Sequence, residues 1–184
     1  LAAETRERLA QVASSDAQRT IVGAAERGRG LSAGTNGRLV WRFVADSVND
    51  FAWATSDRFV WDATRATVPG KGVVPLHVLY LPGRAQGADG RPGFAQIGPV
   101  LRHAVEFYST LWFPYPFAQL TTVDGPESGM EYPMFIMSGI GAADHEVGHQ
   151  WWPMVVGTNE TWYGWMDEGL NSYMGRLSRQ HAQG

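Results

Sequence analysis

His145 and His149 stand four residues apart in the stretch DHEVGHQWW, and Glu146 directly follows the first of them. On an α-helix each residue turns by about 100°, so positions four apart lie only about 40° from each other. Both imidazoles then project from one face, with Glu146 inside the same arc. Two neutral imidazoles at this spacing can bind one metal ion, and a carboxylate beside the remaining coordination position can handle a proton. A lone histidine is more often structural than chemical, so the weight falls on a third donor. WMDEGLNSY supplies Glu168, nineteen positions after His149, at the start of a predicted last helix. Pro153 ends the first helix, and the residues between give the chain room to reverse. Three protein donors with an open fourth position are the arrangement of a catalytic zinc, whereas structural sites are usually closed.

The elements that must carry these residues are legible in outline. Residues 3 to 28 read as helix-prone and polar, until GRGLSAGTNG breaks the pattern. RLVWRFVA, DFAWATS and RFVWDATRA, between 38 and 66, alternate apolar and polar residues as strands do. VPGKGVV at 68–74 is expected to be a hinge and a domain boundary. The strand PLHVLYL comes next, then a Gly-rich loop, PGRAQGADGRPG, long enough to be flexible. Residues 96–111 have helical periodicity, with Val100, Leu101, Val105 and Tyr108 on adjoining faces, and FPYPF stops that helix. AQLTTVD and PMFIMS are predicted strands on either side of GPESGMEY. A helix over 141–152 holds the histidines, and a last one runs from about Met166 to Gln180. Strands interleaved with helices predict an α+β lobe after a β-rich segment.

Composition narrows the classes. With 44% hydrophobic and 12% aromatic residues, eight of them tryptophan, the 184-residue chain has the makings of a real core. A net charge of −3 with scattered arginines offers no basic surface for nucleic acid. No stretch approaches the roughly 18 apolar residues of a membrane span. Cysteine is absent, so a zinc ion must be held by histidine and carboxylate. The start, LAAETRERLA, has no initiator methionine or signal peptide, which points to a piece of something longer and assigns no compartment, cytoplasmic or secreted.

The string His145-Glu146-Val147-Gly148-His149-Gln150-Trp151, followed by WMDEGL, resembles the gluzincin zinc metallopeptidases of the membrane alanyl aminopeptidase family. SGMEYP, Ser128 to Pro133, is similar to that family's Gly-x-Met-Glu-Asn substrate strand. AVEFYSTLWFPYPFAQLTTVD resembles the helix-turn-strand leading into it, and VNDFAWATSDRFVWDATRA resembles the end of the family's N-terminal β-domain. The resemblance covers about residues 40 to 184 and does not place residues 1–36. It implies an N-terminal β-rich tail over 1–69 and a thermolysin-like zinc lobe over 70–184, truncated before a C-terminal domain.

For function, the resemblance implies one zinc ion per chain on His145, His149 and Glu168. Glu146 would be the general base toward a zinc-activated water. The substrate would be a peptide with a free N-terminus, its amine paired with Glu131. Gly129 would let the substrate backbone approach and Met130 would lie along it. Two departures stand out. Tyr132 replaces the family's asparagine, and the family's transition-state tyrosine falls beyond Gly184, because Tyr173 is too close to Glu168 and reads as helix packing. Two alternatives stay open: the epoxide hydrolysis that also occurs in the family, and an inactive zinc-binding scaffold.

The remaining candidates have plainer expectations. His77 and His103 read as structural, His181 as without a specific role, and Trp151 and Trp152 as packing for the histidine helix. Asp167 is balanced between orienting a ligand and being an N-terminal helix acid, and Ser172, one turn after Glu168, could orient an imidazole. GRG at 28–30 is too short for a phosphate loop.

Overall fold

The computed structural model describes residues 1–26, 38 and 40–184. The strands are β1 (Arg19–Val22), β2 (Val60–Val68), β3 (Gly72–Tyr80), β4 (Leu120–Val123), β5 (Gly129–Tyr132) and β6 (Phe135–Ser138). They form one six-stranded mixed sheet in the order β1-β2-β3-β4-β6-β5. β3, β4 and β6 run parallel, while β1, β2 and β5 are antiparallel to their neighbours. The helices are α1 (Ala3–Val12), α2 (Gly98–Leu111), α3 (Ala143–Gly148) and α4 (Leu170–Gln183). A π-helical turn, Trp165–Gly169, leads into α4. The architecture is α+β, as expected.

The core follows from side-chain periodicity. Along β3, Val74, Leu76, Val78 and Tyr80 are buried on one face, opposite Ala66, Thr64, Asp62 and Val60 of β2. α2 covers that face with Leu101, Ala104, Val105 and Tyr108, the i, i+3, i+4, i+7 stripe of an amphipathic helix. Burying each large side chain contributes about 1.5–3 kcal/mol. The other face carries a smaller cluster in which Val12 of α1 and Ile21 of β1 pack on Ala63. α3 packs against α2, α4, β5 and β6, so the histidine stretch sits where all of them meet.

Several expectations are corrected. The first helix ends at Val12, and Arg19–Val22 is a strand, because β-branched Thr20, Ile21 and Val22 find a partner in β2. RLVWRFVA and DFAWATS form no strand among the described residues, and Trp41, Phe43, Val44, Phe51 and Trp53 are exposed there. Alternation alone cannot make a strand when no neighbour satisfies its backbone groups. The 68–74 segment is the turn of the β2–β3 hairpin, whose pairing runs without interruption from Val60↔Tyr80 to Val68↔Gly72. The Gly-rich loop carries two short 3₁₀ turns and a Gln86–Pro92 bridge. The histidine helix is shorter than 141–152: after Gly148 the chain tightens, with Gln150 and Trp151 donating to the carbonyls of Val147 and Gly148. The glycine breaker at 28–37 and the GRG within it lie outside the described residues. Among the described residues no helix is long and apolar enough to cross a membrane.

Candidate metal centre

His145 lies in α3 and His149 caps its C-terminus, so the helical spacing places both rings on one side. The ring centroids are 4.7 Å apart and the planes are nearly perpendicular at 88°. Glu168 arrives from the π-helical turn, and Trp152 Nε1 donates to the carbonyl of Met166, which fastens that turn to the exit of the histidine segment. His145 Nε2, His149 Nε2 and Glu168 Oε2 form a triangle with sides of 3.0, 3.1 and 3.8 Å. A tetrahedral zinc with bonds of about 2.0–2.1 Å holds its donors roughly 3.3 Å apart, close to the mean of those sides. The donor set therefore fits zinc in both chemistry and size.

Each ring is held from behind. His149 is fully buried, and its Nδ1 lies 2.9 Å from the Trp152 carbonyl, which makes Nδ1 the protonated nitrogen and turns the Nε2 lone pair toward the other donors. Asp167 Oδ1 is also 3.0 Å from that Nδ1 but makes no directed hydrogen bond, since the single proton points at the carbonyl. Burial raises the Asp167 carboxyl to about 6, against the opposing pull of His149. Burial, and then His149, lower the pKa of His145, so its neutral, ligating form is favoured.

Glu146 is buried on the inner side of the pair, and its Oε2 has no hydrogen-bond partner. Burial, then the charge of Glu131 and a hydrogen bond shared with it, push Glu146 up to about 8. One acid oxygen from each of Glu131 and Glu146 and one nitrogen of His149 lie within 4.8 Å of one another. These two carboxyls compete for a proton, so the two-imidazole set is the better metal cradle. Gly129 is in contact as well: a β-carbon there would stand 2.6 Å from Glu146 Oε1. Met130 is half-buried in β5, paired with Met137. The Gly129→Ala substitution is thus expected to displace Glu146. The measurable result is a fall in kcat with zinc content unchanged, and normal turnover would show that Glu146 need not stay in place.

Three residues that sequence reasoning passed over build the frame. Gln150, fully buried, accepts from Met134 N at 2.8 Å and donates to Tyr132 O at 3.0 Å, clamping the turn of the β5–β6 hairpin to the histidine segment. Asp144 accepts from Tyr108 of α2 and Ser178 of α4, tying three helices at one carboxylate. Asn171, also fully buried, touches His145 directly. Ser172, expected to reach an imidazole, is exposed instead. The signal for Asp144 and Asn171 was a polar residue on an otherwise buried helical face, whereas Gln150 lies in the turn after α3.

The other histidines lie in different settings. His77 is half-buried on β3, where desolvation lowers its pKa to about 4 and Trp61 Nε1 donates to its Nδ1 at 3.2 Å. The ring of His103 lies 3.1 Å from the Ser178 carbonyl and near His181. Trp151 is core, in tilted contact with Tyr108 and Trp112 and edge-on to Tyr115.

No protein-family model matches this chain, and no curated protein matches it. Solved structures do. A mutant two-domain M1 zinc metallopeptidase bound to L-arginine is 18% identical, with a TM-score of 0.52, over 69% of this chain and 29% of that one. The same kind of protein bound to L-tryptophan is 17% identical, with a TM-score of 0.51, over 68% and 29%. An M1 zinc metallopeptidase from Deinococcus radiodurans is 20% identical over 66% and 29%, with a TM-score of 0.46. At these identities the likeness is one of fold, and the chain spans 29% of the length of the structures it matches.

Proposed function

We propose that this chain is the metal-binding lobe of a zinc metallopeptidase of aminopeptidase type. The observation that carries the reading is the convergence of His145 Nε2, His149 Nε2 and Glu168 Oε2 at 3.0–3.8 Å, with Glu146 beside them. His145, His149 and Glu168 would hold one zinc ion. Zinc in that position supplies Lewis acidity toward a peptide carbonyl and toward water.

The chain's own residues supply the rest. Glu146 takes the proton of the attacking water and returns it to the leaving amine. Its buried place next to Gly129 keeps the carboxylate aimed at whatever lies along β5. β5 is the last strand of the sheet, so an extended peptide can lie against it, with Met130 along its path. Glu131, on the same strand, pairs with a free α-amine and so restricts cleavage to N-terminal residues. Gln150 holds the β5–β6 turn and with it the position of Glu131 relative to Glu146. In this reading the exposed apolar segment before Val60 joins the lobe to a β-rich N-terminal domain, and a C-terminal domain of the longer enzyme completes the cleft.

The test compares substrates. The complete enzyme should cleave an aminoacyl-anilide and leave its N-acetylated form nearly untouched, and Glu131→Ala should erase most of that preference. Equal cleavage of both forms by the wild type would mean an endopeptidase and would remove Glu131 from this role.

A further inference from the structure

His145 is gripped from two sides by one turn of helix. Glu168 meets its Nε2 at 3.0 Å, and three residues later Asn171 sits on the opposite side of the ring. Asn171 Nδ2 donates to the His145 carbonyl at 2.8 Å and lies 3.3 Å from Nδ1 of the same ring. The π-helical turn at Trp165–Gly169 leads into α4, where Asn171 is buried and Ser172 is exposed. Gly148 completes the seat: a β-carbon there would fall 2.2 Å from Asn171 Oδ1. That oxygen is buried and has no hydrogen-bond partner.

We propose that Asn171 is a positioning residue of this site, setting the orientation and tautomer of His145 and thereby how tightly the three donors hold zinc. The inference rests on the reading of His145 as a ligand. An imidazole that ligates through Nε2 carries its proton on Nδ1 and needs an acceptor there. Among the described residues, the polar side-chain group at His145 Nδ1 is the Asn171 amide, which can present either of its faces. With Nδ2 toward Nδ1, the ring proton stays on Nε2 and points at Glu168. With Oδ1 toward Nδ1, the proton moves to Nδ1 and the Nε2 lone pair is free, and the Nδ2 bond to the His145 carbonyl is given up. The unpartnered Oδ1 is the acceptor held in reserve for that second arrangement. His149 needs no such device, because the Trp152 carbonyl is an acceptor already. The two rings are therefore held differently, one by fixed backbone and one by an amide with two faces.

Two variants and two readouts test this. Asn171→Asp keeps the shape and can only accept, and Asn171→Leu keeps the bulk and can do neither. Zinc affinity, measured by competition with a chromophoric chelator, should fall about 10- to 100-fold in Asn171→Leu. It should match or exceed the wild type in Asn171→Asp. Nitrogen-15 shifts of the His145 ring, recorded without zinc, should show the proton on Nε2 in the wild type and on Nδ1 in Asn171→Asp. The proposal is overturned if Asn171→Leu binds zinc within about threefold of wild type, or if the ring tautomer is the same in wild type and Asn171→Asp. Should the leucine variant not fold, as judged by circular dichroism, the isosteric aspartate comparison decides alone. A wild type that binds no zinc would defeat the metal reading, while the nitrogen shifts would still decide the part played by Asn171.

Discussion

Replacing Glu146 by glutamine is expected to leave zinc in place and to slow turnover of the complete enzyme by about 10²- to 10⁴-fold. Glu146 contributes no atom to the two-imidazole donor triangle, so metal content should not change. Its carboxylate is nevertheless buried among the donors, with one oxygen against Gly129 and the other without a partner. An unpartnered buried carboxyl oxygen is costly to keep, and the proposed proton-transfer role would account for it. Glutamine preserves the shape and the contact with Gly129 but cannot accept a proton from water. The measurement is kcat on an aminoacyl-anilide beside metal analysis of the same preparations. A glutamine variant as fast as the wild type would place the base elsewhere.

The second large effect is expected at His149. His149→Ala should abolish zinc binding, with a loss well beyond the roughly 10- to 100-fold typical of partners that only orient a ligand. The ring is fully buried, and its Nδ1 proton satisfies the Trp152 carbonyl. Truncation leaves a cavity and an orphaned acceptor as well as two donors in place of three. His149→Gln is the control for folding, since it fills the space and can still donate. Both variants should be folded by circular dichroism and carry far less zinc than wild type after dialysis against a metal buffer. Zinc content of one per chain in either would show that the ion binds elsewhere, with the Glu131, Glu146 and His149 group excluded by the same result.

The parts of the site that could be read from the sequence are those governed by local geometry. A spacing of four on a helix is a statement about angles, and His145 and His149 obey it even though α3 is shorter than expected. The convergence of Glu168 needed a motif for its legibility, because nothing local specifies how far a chain travels between residues 149 and 168. Asn171 shows the limit more sharply. On an α-helix the positions three and four after Glu168 both neighbour it, and the structure buries Asn171 while Ser172 is exposed. The strands followed the same division. β2 and α2 were visible in alternation and in the 3.6-residue stripe, whereas Trp41 to Trp53 alternate without a partner and β1 was hidden in a polar, helix-like stretch. Pairing partners are long-range facts, and a proline–glycine turn looks the same whether it joins two domains or two strands of one hairpin.

The place of β5 at the end of the sheet sets two demands against each other. An open edge that can receive an extended peptide is also a template for pairing with the edge of another protein, the first step of aggregation. Here the edge is only four residues long, and it carries the carboxylate of Glu131 midway along it. The hairpin turn at its end is pinned inward by Gln150. A short ligand finds enough backbone to dock, but a whole foreign sheet finds too little, and an acidic side chain stands in its way. The residue that is proposed to choose the substrate thus also guards the protein against itself.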